Sequence, residues 1–266
     1  MQEKPNPVAL RMLKQRSDIL ENLKGIKFKI AVMSGKGGTG KTTVAVNLAA
    51  VLSRKNSVGL LDADIDCPNI NSFLGIKERF SVKGENRIQP IERFGLKVVS
   101  MASLQEEADT AIMWRGPMIS TGLNSFLQNT DWGKLDFLVI DMPPGTSDVA
   151  LSIMQNVDLA GIVVVSTPQG VALTDASKAI NMAKKFNVKV LGLVENMSGE
   201  IFGKGEVESL AKKLGETFLG RIELRKEIRQ LAENGLIAVN ESREAEKEFK
   251  AIAQIVLKQL GVQKNG

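Results

Sequence analysis

The stretch SGKGGTGKTT, from Ser34 to Thr43, decides the fold that this sequence predicts. Its segment Gly35–Thr42 fits the pattern G-x-x-x-x-G-K-[ST] at every fixed position. The apolar run over 29–33 before it predicts a buried strand, and the apolar run over 44–52 after it predicts a helix. The sequence therefore predicts a glycine-rich loop between a strand and a helix, which is the setting that this pattern requires.

The composition of the loop suits it to binding phosphate. Its glycines let successive backbone N–H groups converge on one anion, in conformations that side chains would obstruct. The helix that starts near Lys41 adds unpaired N–H groups and the positive end of its dipole. We expect Lys41 to reach the β- and γ-phosphates of ATP or ADP, and the Thr42 hydroxyl to ligate Mg²⁺. The predicted nucleotide-binding residues of the loop are Gly35, Lys36, Gly37, Gly38, Thr39, Gly40, Lys41, Thr42 and Thr43.

Lys36 is a second lysine near the start of the loop, and the general pattern does not require it. Burying another cation there costs free energy unless a phosphate compensates for it. A lysine at this position reaches either over the nucleotide of its own subunit or to a nucleotide held by a second subunit. A solvated surface lysine is the simpler alternative.

The residue types that are missing exclude several kinds of chemistry. The chain has 266 residues and no histidine, which excludes Ser-His-Asp and Cys-His catalysis and histidine-ligated metals. Cys67 is the single cysteine, so an internal disulfide and a CxxC metal pair are excluded as well. The 35 basic and 30 acidic residues are interspersed, which does not favour a nucleic acid surface. No apolar run approaches the ~20 residues of a membrane span and no secretory signal is present, so we expect a cytoplasmic protein without membrane contact.

Apolar strands alternate with helical segments along the chain, which predicts an α/β fold with a mostly parallel central sheet and helices on both faces. The predicted strands cover 29–33, 57–61, 96–101, 136–140, 160–165, 188–194 and 217–222, and the predicted helices cover 6–24, 44–52, 114–127, 172–186, 225–233 and 245–260. The charged, turn-rich segment 77–95 is predicted to be an exposed excursion. We expect one domain over 1–266, with a helical extension over 1–26 and a C-terminal helix over 241–266.

Carboxylates follow two of the predicted strands, at the sheet edge where ligands of parallel sheets gather. Asp62, Asp64 and Asp66 lie in LLDADIDCPN after the second strand, and Asp141 ends the strand FLVID. We expect Asp62 to position an attacking water, and Asp64 or Asp66 to contact the metal shell. Asp66 has the alternative of capping a helix near Asn69.

Asp141 is placed like a Walker B aspartate, which reaches Mg²⁺ directly or through water. The alternative is a purely structural turn before the Pro-Pro pair. Asn196 follows the strand VLGLVEN, and its amide both donates and accepts hydrogen bonds, as contact with an adenine edge requires. A turn-forming asparagine is the alternative there. Pro168 ends the preceding strand and is expected to line the base pocket.

The predicted site divides into two sets by role. The predicted catalytic residues are Lys36, Lys41, Asp62 and Asp141. The predicted metal ligands are Thr42, Asp62, Asp64 and Asp141.

Together these residues resemble the deviant Walker A ATPases, which include MinD, ParA and the nitrogenase iron protein, and among them the Mrp/ApbC subgroup of iron–sulfur cluster carrier ATPases. The resemblance spans about residues 29 to 222. The matching stretches are GKGGTGKTT, LLDADIDCPN, WRGPM, DWGKLDFLVIDMPPGTSD, STPQG and VENMS. The resemblance implies a homodimeric, Mg-dependent ATPase that serves an iron–sulfur or other client protein. It also implies that Lys36 crosses to the partner's nucleotide, that Asp62 orients water, that Asp141 is the switch II carboxylate and that Asn196 contacts adenine.

The resemblance fails at one motif. Members of the family that carry a cluster have a CxxC pair soon after the ENMS segment, and dimerisation brings two pairs together around one [4Fe–4S] cluster. Here the segment reads ENMSGEIFGKGEVESLA, without cysteine. Two Cys67 thiolates in a dimer are fewer than the four that a cluster ordinarily uses. We therefore expect the fold and the ATP site to follow the family, and the usual mode of cluster binding not to.

A positioning or scaffold switch of the MinD or ParA kind is the alternative function. MinD-type proteins add a membrane-binding amphipathic tail, and Phe249, Ile252, Val256 and Leu260 form an apolar stripe at helical spacing. We expect this stripe to pack on the sheet, because the final residues GVQKNG are short and polar.

Overall fold

The fold is taken from a computed structural model that describes residues 7–65, 67–84, 87–104 and 116–262. Its strands are β1 (Ile26–Ser34), β2 (Val58–Asp62), β3 (Ser81–Lys83), β4 (Arg87–Gln89), β5 (Ile91–Arg93), β6 (Leu96–Ser100), β7 (Leu135–Asp141), β8 (Gly161–Ser166), β9 (Val190–Ser198) and β10 (Phe218–Glu223). Its α-helices are α1 (Pro7–Leu23), α2 (Lys41–Ser53), α3 (Ile70–Phe73), α4 (Gly116–Asn129), α5 (Asp148–Asn156), α6 (Gly170–Lys185), α7 (Glu206–Leu214), α8 (Lys226–Glu233), α9 (Ala238–Glu241) and α10 (Arg243–Gln259).

The central sheet has eight strands in the order β10-β9-β8-β1-β7-β2-β6-β5. All neighbouring pairs are parallel except β5 and β6, which are antiparallel. The predicted fold class, a mostly parallel sheet between helices, is confirmed. Because β1, β2, β7, β8 and β9 run in the same direction, the loops after them meet at one edge of the sheet.

Alternating side chains of the strands fill two separate cores. In β1, Ile30 and Val32 face the core formed with α2 and α10, whereas Ala31 and Met33 face the core formed with α1, α4, α5, α6 and α7. Successive side chains of a strand point to opposite faces, so a strand that is apolar throughout requires cover on both sides. The apolar run before the glycine-rich loop is thus explained by helices on both faces.

The segment 77–95 contains more structure than an exposed excursion. Strands β3 and β4 form an antiparallel pair, and β5 joins the main sheet as its edge strand, with Ile91 opposite Val98. Ile88 on β4 is buried. Three-residue strands are too short for the periodicity of the sequence to reveal, and helices α5 and α7 were not predicted either. Residues 114 and 115 of the WRGPM motif lie outside the described residues.

The apolar stripe of α10 packs into the core, as expected. Phe249, Ile252 and Val256 are fully buried, and Leu260 is half-buried just beyond the helix end. They join the core on the α2 face of the sheet. Among the described helices, none is long and apolar enough to cross a membrane.

Candidate active site

The glycine-rich loop joins the end of β1 to the start of α2. Gly38 and Gly40 have φ values of 76° and 80°, in the left-handed region that favours glycine. Gly40 is the N-cap of α2, and its carbonyl accepts a hydrogen bond from the N–H of Val44 at 3.0 Å. The loop therefore ends at a helix N-terminus, where backbone N–H groups are available to an anion.

Two of the loop glycines are required by close packing, and two border open space. A Cβ on Gly35 would lie 2.0 Å from the backbone carbon of Asp175 on α6, and a Cβ on Gly40 would lie 2.0 Å from Nδ2 of Asn196. A Cβ on Gly37 or Gly38 would meet nothing within 4 Å. The loop is thus held at both ends by neighbouring elements and is open in the middle, where a phosphate would enter.

Lys41, Thr42 and Asp141 form a hydrogen-bonded cluster at this edge of the sheet. The Lys41 ammonium donates to Oδ1 of Asp141 at 2.7 Å, and the Thr42 hydroxyl donates to Oδ2 of the same carboxylate at 2.6 Å. Asp141 is fully buried, and burial raises its pKa, whereas the attraction of Lys41 lowers it. The last residue of β7 is thereby joined to the first two residues of α2.

Asp62 is fully buried, and both of its carboxylate oxygens accept hydrogen bonds. Oδ1 accepts from the N–H of Asp64 at 3.1 Å, and Oδ2 accepts from the N–H of Ile70 at 3.1 Å and the hydroxyl of Ser100 at 3.0 Å. Burial is the main cause that raises the pKa of Asp62 to about 7, followed by repulsion from Asp141. Asp62 thus fixes the loop after β2 and the start of α3.

Asp64 lies between Asp62 and the phosphate loop. Its Oδ2 is 3.7 Å from the Lys41 ammonium, and its Oδ1 accepts from the N–H of Cys67 at 3.3 Å. Asp64 is 8% exposed, whereas Asp62 is 0% exposed. Asp66 lies outside the described residues, so its predicted roles remain predictions.

Lys36 and Pro168 lie on neighbouring loops. The Lys36 ammonium is 3.5 Å from Oε1 of Gln169, and the Lys36 carbonyl accepts from the Ser34 hydroxyl at 2.8 Å. Pro168 is buried between β8 and α6, next to Gln169. Lys36 therefore extends over the β8–α6 connection.

Asn196 braces the phosphate loop from the end of β9. Its Nδ2 donates to the carbonyl of Thr39 at 2.8 Å, and the amide is buried. Asn196 and Thr43 also line a cavity of about 380 Å³, together with Phe73 and Ile228. This cavity lies beside the start of α2, and Pro168 is not among the residues that line it. The assignments of Asn196 and Pro168 to adenine remain predictions.

Glu195 is a buried residue that the sequence analysis did not select. It is 0% exposed and accepts from the N–H groups of Gly205, at 3.0 and 2.9 Å, and Val207, at 3.1 Å. It also accepts from the Ser198 hydroxyl at 3.0 Å and from Nε of Arg221 at 3.3 Å. A glutamate inside the apolar run GLVEN is the signal that could have identified it, because a buried carboxylate requires partners.

The donor set at the loop fits Mg²⁺ bound with a nucleotide. Thr42 and Asp141 supply oxygen atoms, which Mg²⁺ prefers, and Asp64 supplies further carboxylate oxygen nearby. Among the described residues, no group of three or more acidic, cysteine or histidine side chains is arranged to hold a metal alone. Magnesium at such sites is ordinarily held by one or two protein oxygens together with substrate phosphates and water.

Comparison with known proteins agrees with this geometry. Residues 25–257 match the family described as ParA, NUBPL iron-transfer P-loop NTPase. The chain belongs to this family. It is 42% identical over 262 residues to an iron–sulfur cluster carrier protein from Methanocaldococcus jannaschii, covering 94% of this chain and 90% of the relative. It is 43% identical over 259 residues to the iron–sulfur cluster transfer protein NUBPL of Dictyostelium discoideum, covering 91% of this chain and 80% of the relative.

Solved structures related to the family share the fold. A nucleotide-binding protein from Archaeoglobus fulgidus in complex with ADP has a TM-score of 0.75 at 36% identity, covering 87% of this chain and 96% of that chain. MinD from Pyrococcus horikoshii, complexed with Mg-ADP, has a TM-score of 0.69 at 25% identity, covering 90% of this chain and 100% of that chain. The predicted resemblance to iron–sulfur cluster carrier proteins of the P-loop NTPase class is confirmed at the level of the family.

The two kinds of loop glycine give separable effects when they are replaced. Gly35→Ala should lower the free energy of unfolding by about 2 kcal/mol, because the methyl group overlaps the backbone of α6. Gly37→Ala should change it by less than about 0.5 kcal/mol, because its methyl group enters open space. Urea unfolding measures both values, and calorimetry with Mg·ADP should show weaker binding by Gly37→Ala. Equal stability of the two variants would contradict the packing described for Gly35.

Asp62 should make the stability of the nucleotide-free protein depend on pH. Its pKa of about 7 lies above the ordinary carboxyl value of 3.8, so between these values the folded protein holds a proton that the unfolded chain has lost. The contribution of Asp62 to the free energy of unfolding is therefore present below pH 3.8 and falls as the pH rises through 7. The slope is at most about 1.4 kcal/mol per pH unit. Urea unfolding at a series of pH values measures it.

Two variants isolate this effect. Asp62→Asn should flatten the slope because it removes the titrating group. Asp148→Asn changes an exposed carboxylate in the first turn of α5 and should keep the slope of the wild type. Parallel curves for the wild type and Asp62→Asn would show that Asp62 is not the group responsible.

Proposed function

We propose that this protein is a Mg-dependent ATPase that acts as a homodimeric switch on an iron–sulfur client protein. The observation that supports it is the cluster of Lys41, Thr42 and Asp141 beside an open glycine loop. Membership of the iron-transfer NTPase family supports the kind of client. We place the protein in the cytoplasm and assign the ATPase to a single domain over 1–266.

In our proposal, nucleotide binding changes the partners of the buried ion pair between Lys41 and Asp141. In the structure the Lys41 ammonium is paired with Asp141 at 2.7 Å. A triphosphate carries more negative charge than one carboxylate, so Lys41 exchanges Asp141 for the β- and γ-phosphates. That exchange frees Asp141 and Thr42 to hold Mg²⁺, which neutralises phosphate charge when it is bound. Nucleotide binding is thereby coupled to the loop after β7.

Hydrolysis requires a carboxylate that orients water toward the γ-phosphorus. A water oxygen forms the new bond to phosphorus, the bond from phosphorus to the β–γ bridging oxygen breaks, and ADP and inorganic phosphate leave with the protons of the water. The sequence predicts that Asp62 orients this water, and this stays a prediction; Asp62 is 0% exposed and already accepts from three donors. In our proposal Asp62 acts through the loop that it fixes, and Asp64, which faces Lys41, contacts the water.

Lys36 makes the proposed active site a two-subunit site. Its ammonium lies at 3.5 Å from Gln169, over a connection at the same edge as the phosphate loop. A neutral amide is a weak partner for a cation, so a phosphate of a second subunit would compete for Lys36 effectively. This is the basis on which we propose the homodimer.

In our proposal the iron–sulfur cluster is cargo of the switch and not a resident cofactor. Cys67 is the only cysteine of the chain and is exposed beside the nucleotide site. Two such thiolates in a dimer leave a [4Fe–4S] cluster short of ligands. In our proposal the client protein therefore supplies most or all of the ligands, and nucleotide turnover controls its association.

The MinD-like alternative finds less support in the structure. The apolar stripe of α10, which a membrane-binding tail would need to expose, is buried on the α2 face of the sheet. Resemblance to MinD concerns the fold, at 25% identity. The iron–sulfur relatives match at 42% and 43% identity over most of this chain.

The ATPase assignment predicts different defects for three residues. Lys41→Ala should abolish Mg·ATP binding, because it removes the phosphate partner and leaves Asp141 buried without its cation. Asp64→Asn should bind Mg·ATP but hydrolyse it about 100-fold more slowly. Lys36→Ala should bind nucleotide and lose ATP-dependent dimerisation. Calorimetry, phosphate release and sedimentation measure these properties. Normal hydrolysis by Lys41→Ala would overturn the proposal. Normal hydrolysis by Asp64→Asn would indicate that Asp62, and not Asp64, orients the attacking water.

Cargo binding is tested on the isolated protein. After anaerobic incubation with iron and sulfide and subsequent gel filtration, the wild type and Cys67→Ser should both lack the visible absorbance of an iron–sulfur cluster. The expected reason is the shortage of thiolate ligands. A cluster that the wild type retains and Cys67→Ser loses would show that this chain binds the cluster itself.

A further inference from the structure

A cavity of about 620 Å³ lies between α1, α4, α5 and the end of α6. Its lining includes Asn156, the last residue of α5, and Phe186, which directly follows α6. These two helices end where the chain enters β8 and β9, whereas the phosphate loop follows the end of β1, which is parallel to both strands. The cavity and the nucleotide site therefore lie at opposite edges of the sheet. We name this cavity, lined among others by Met12, Leu13, Arg16, Asn124, Met154 and Phe186, the α1 groove.

Helix α1, which forms one wall of the groove, is fixed to the rest of the structure. Ile19 in its second half is fully buried in the core. Nε2 of Gln128 on α4 donates to the carbonyl of Gln15 at 3.3 Å, and Nδ2 of Asn22 donates to the carbonyl of Leu127 at 2.9 Å. A surface that is already ordered loses less conformational entropy when a partner binds it. The groove is in this sense a formed site.

The groove presents apolar side chains from two sides. Met12 and Leu13 on α1 are 65% and 64% exposed, and both line the groove. Met154 on α5 and Phe186 line it from the other side. Exposed apolar side chains that border a cavity are typical of interaction sites, and methionine adapts its shape to different partners. The groove is therefore suited to apolar side chains of a partner.

Arg16 gives the groove its charge. It is exposed, and it is the one charged side chain among the described residues that line the groove. Within the described part of the chain, Arg16 forms no salt bridge. A guanidinium binds a carboxylate through two parallel hydrogen bonds. The charge of the groove is therefore complementary to an acidic partner.

Asn124 on α4 adds an unpaired hydrogen-bond acceptor. The residue is 9% exposed, and its Oδ1 has no hydrogen-bond partner among the described residues. A buried acceptor without a donor costs free energy, so a ligand that supplies an N–H group gains by binding there. Gln155 and Asn156 on α5 place two further amides in the lining. Side-chain amides both donate and accept, as contact with a peptide backbone requires.

We infer that the α1 groove binds an extended segment of the client protein that carries apolar side chains and a carboxylate. The inference rests on the proposed function and gives the client a docking surface. The apolar side chains of the segment pack between α1 and α5, its carboxylate pairs with Arg16, and a backbone N–H donates to Asn124. An extended segment has such N–H groups available, whereas a helix uses most of its own internally.

The position of the groove leaves it open to a client in the proposed homodimer. Lys36 reaches a second nucleotide only if the edges that carry the phosphate loops face each other. The groove lies at the other edge, beside the ends of α5 and α6. A client segment in the groove and a second subunit at the phosphate loop therefore do not compete for the same surface.

Peptide selection on the full chain tests the inference without a known client. The probe is a library of random dodecapeptides displayed on phage, selected on the immobilised wild type in the absence of nucleotide. We expect the selected sequences to combine apolar residues with aspartate or glutamate. Synthetic copies of these peptides, and copies in which each acidic residue is replaced by its amide, then serve as ligands in calorimetry. The amide copies should bind more weakly, because they lack the carboxylate that pairs with Arg16.

Two pairs of variants locate the binding site. Arg16→Glu should raise the dissociation constant of the acidic peptides by about tenfold or more, because it places like charges opposite each other. Lys14→Glu makes the same charge change at an exposed residue of α1 that does not line the groove, and it should bind as the wild type does. Leu13→Asp should also weaken binding, whereas Val171→Asp, at the exposed start of α6, should not.

Three results would count against the inference. The first is a selection that yields no peptide above background or no preference for acidic residues. The second is equal affinity of the selected peptides for the wild type, Arg16→Glu and Leu13→Asp, which would place their site elsewhere. The third is self-association of the wild type in sedimentation that Leu13→Asp abolishes, which would make a second copy the occupant. Urea unfolding shows whether each variant is folded, and the changed residues are exposed in all four.

The outcome separates this inference from the proposed function. The selected peptides should bind Lys41→Ala as tightly as the wild type, because the groove and the phosphate loop lie at opposite edges of the sheet. If the peptides bind the groove and the protein does not hydrolyse ATP, the groove stands and the proposed ATPase is wrong. If the wild type hydrolyses ATP and the groove binds no peptide, the ATPase stands and this inference is wrong.

Discussion

A buried ion pair joins the last residue of β7 to the first residue of α2. Lys41 and Asp141 are 2.7 Å apart, and both are withdrawn from solvent. A buried pair recovers its desolvation cost only when its geometry is good and its remaining polar atoms are satisfied. Thr42 satisfies the second oxygen of Asp141. The arrangement of the phosphate loop against the sheet depends on this pair.

The charges around the pair do not balance within the chain. Asp62 and Asp64 lie beside it, so one lysine faces three carboxylates. Burial, followed by repulsion from Asp141, raises the pKa of Asp62, and a retained proton there removes one of the negative charges. A divalent cation bound beside these carboxylates would also offset their negative charge.

Much of the fold could be predicted from the sequence, because the features that reveal it are local. Apolar runs located the parallel strands, and the loop motif located the helix N-terminus. Hydrogen bonds that close loops could not be predicted in this way. Asp62 accepts hydrogen bonds from Ile70 and Ser100, which lie at different distances from it along the chain. No pattern in the sequence indicates these partners. Edge strand β5 was missed for a related reason. Its three residues are too few to show a periodicity in the sequence, and it is a strand because it pairs with β6.

The hydrogen bonds of Glu195 determine how a change in the β9–α7 connection affects the rest of the structure. One carboxylate holds the chain before and after residues 199–204, through Ser198, Gly205 and Val207. The hydrogen bond to the phosphate loop comes from Asn196, which lies before these residues. The intervening residues can therefore be exchanged for a segment of different length or chemistry without moving the nucleotide site.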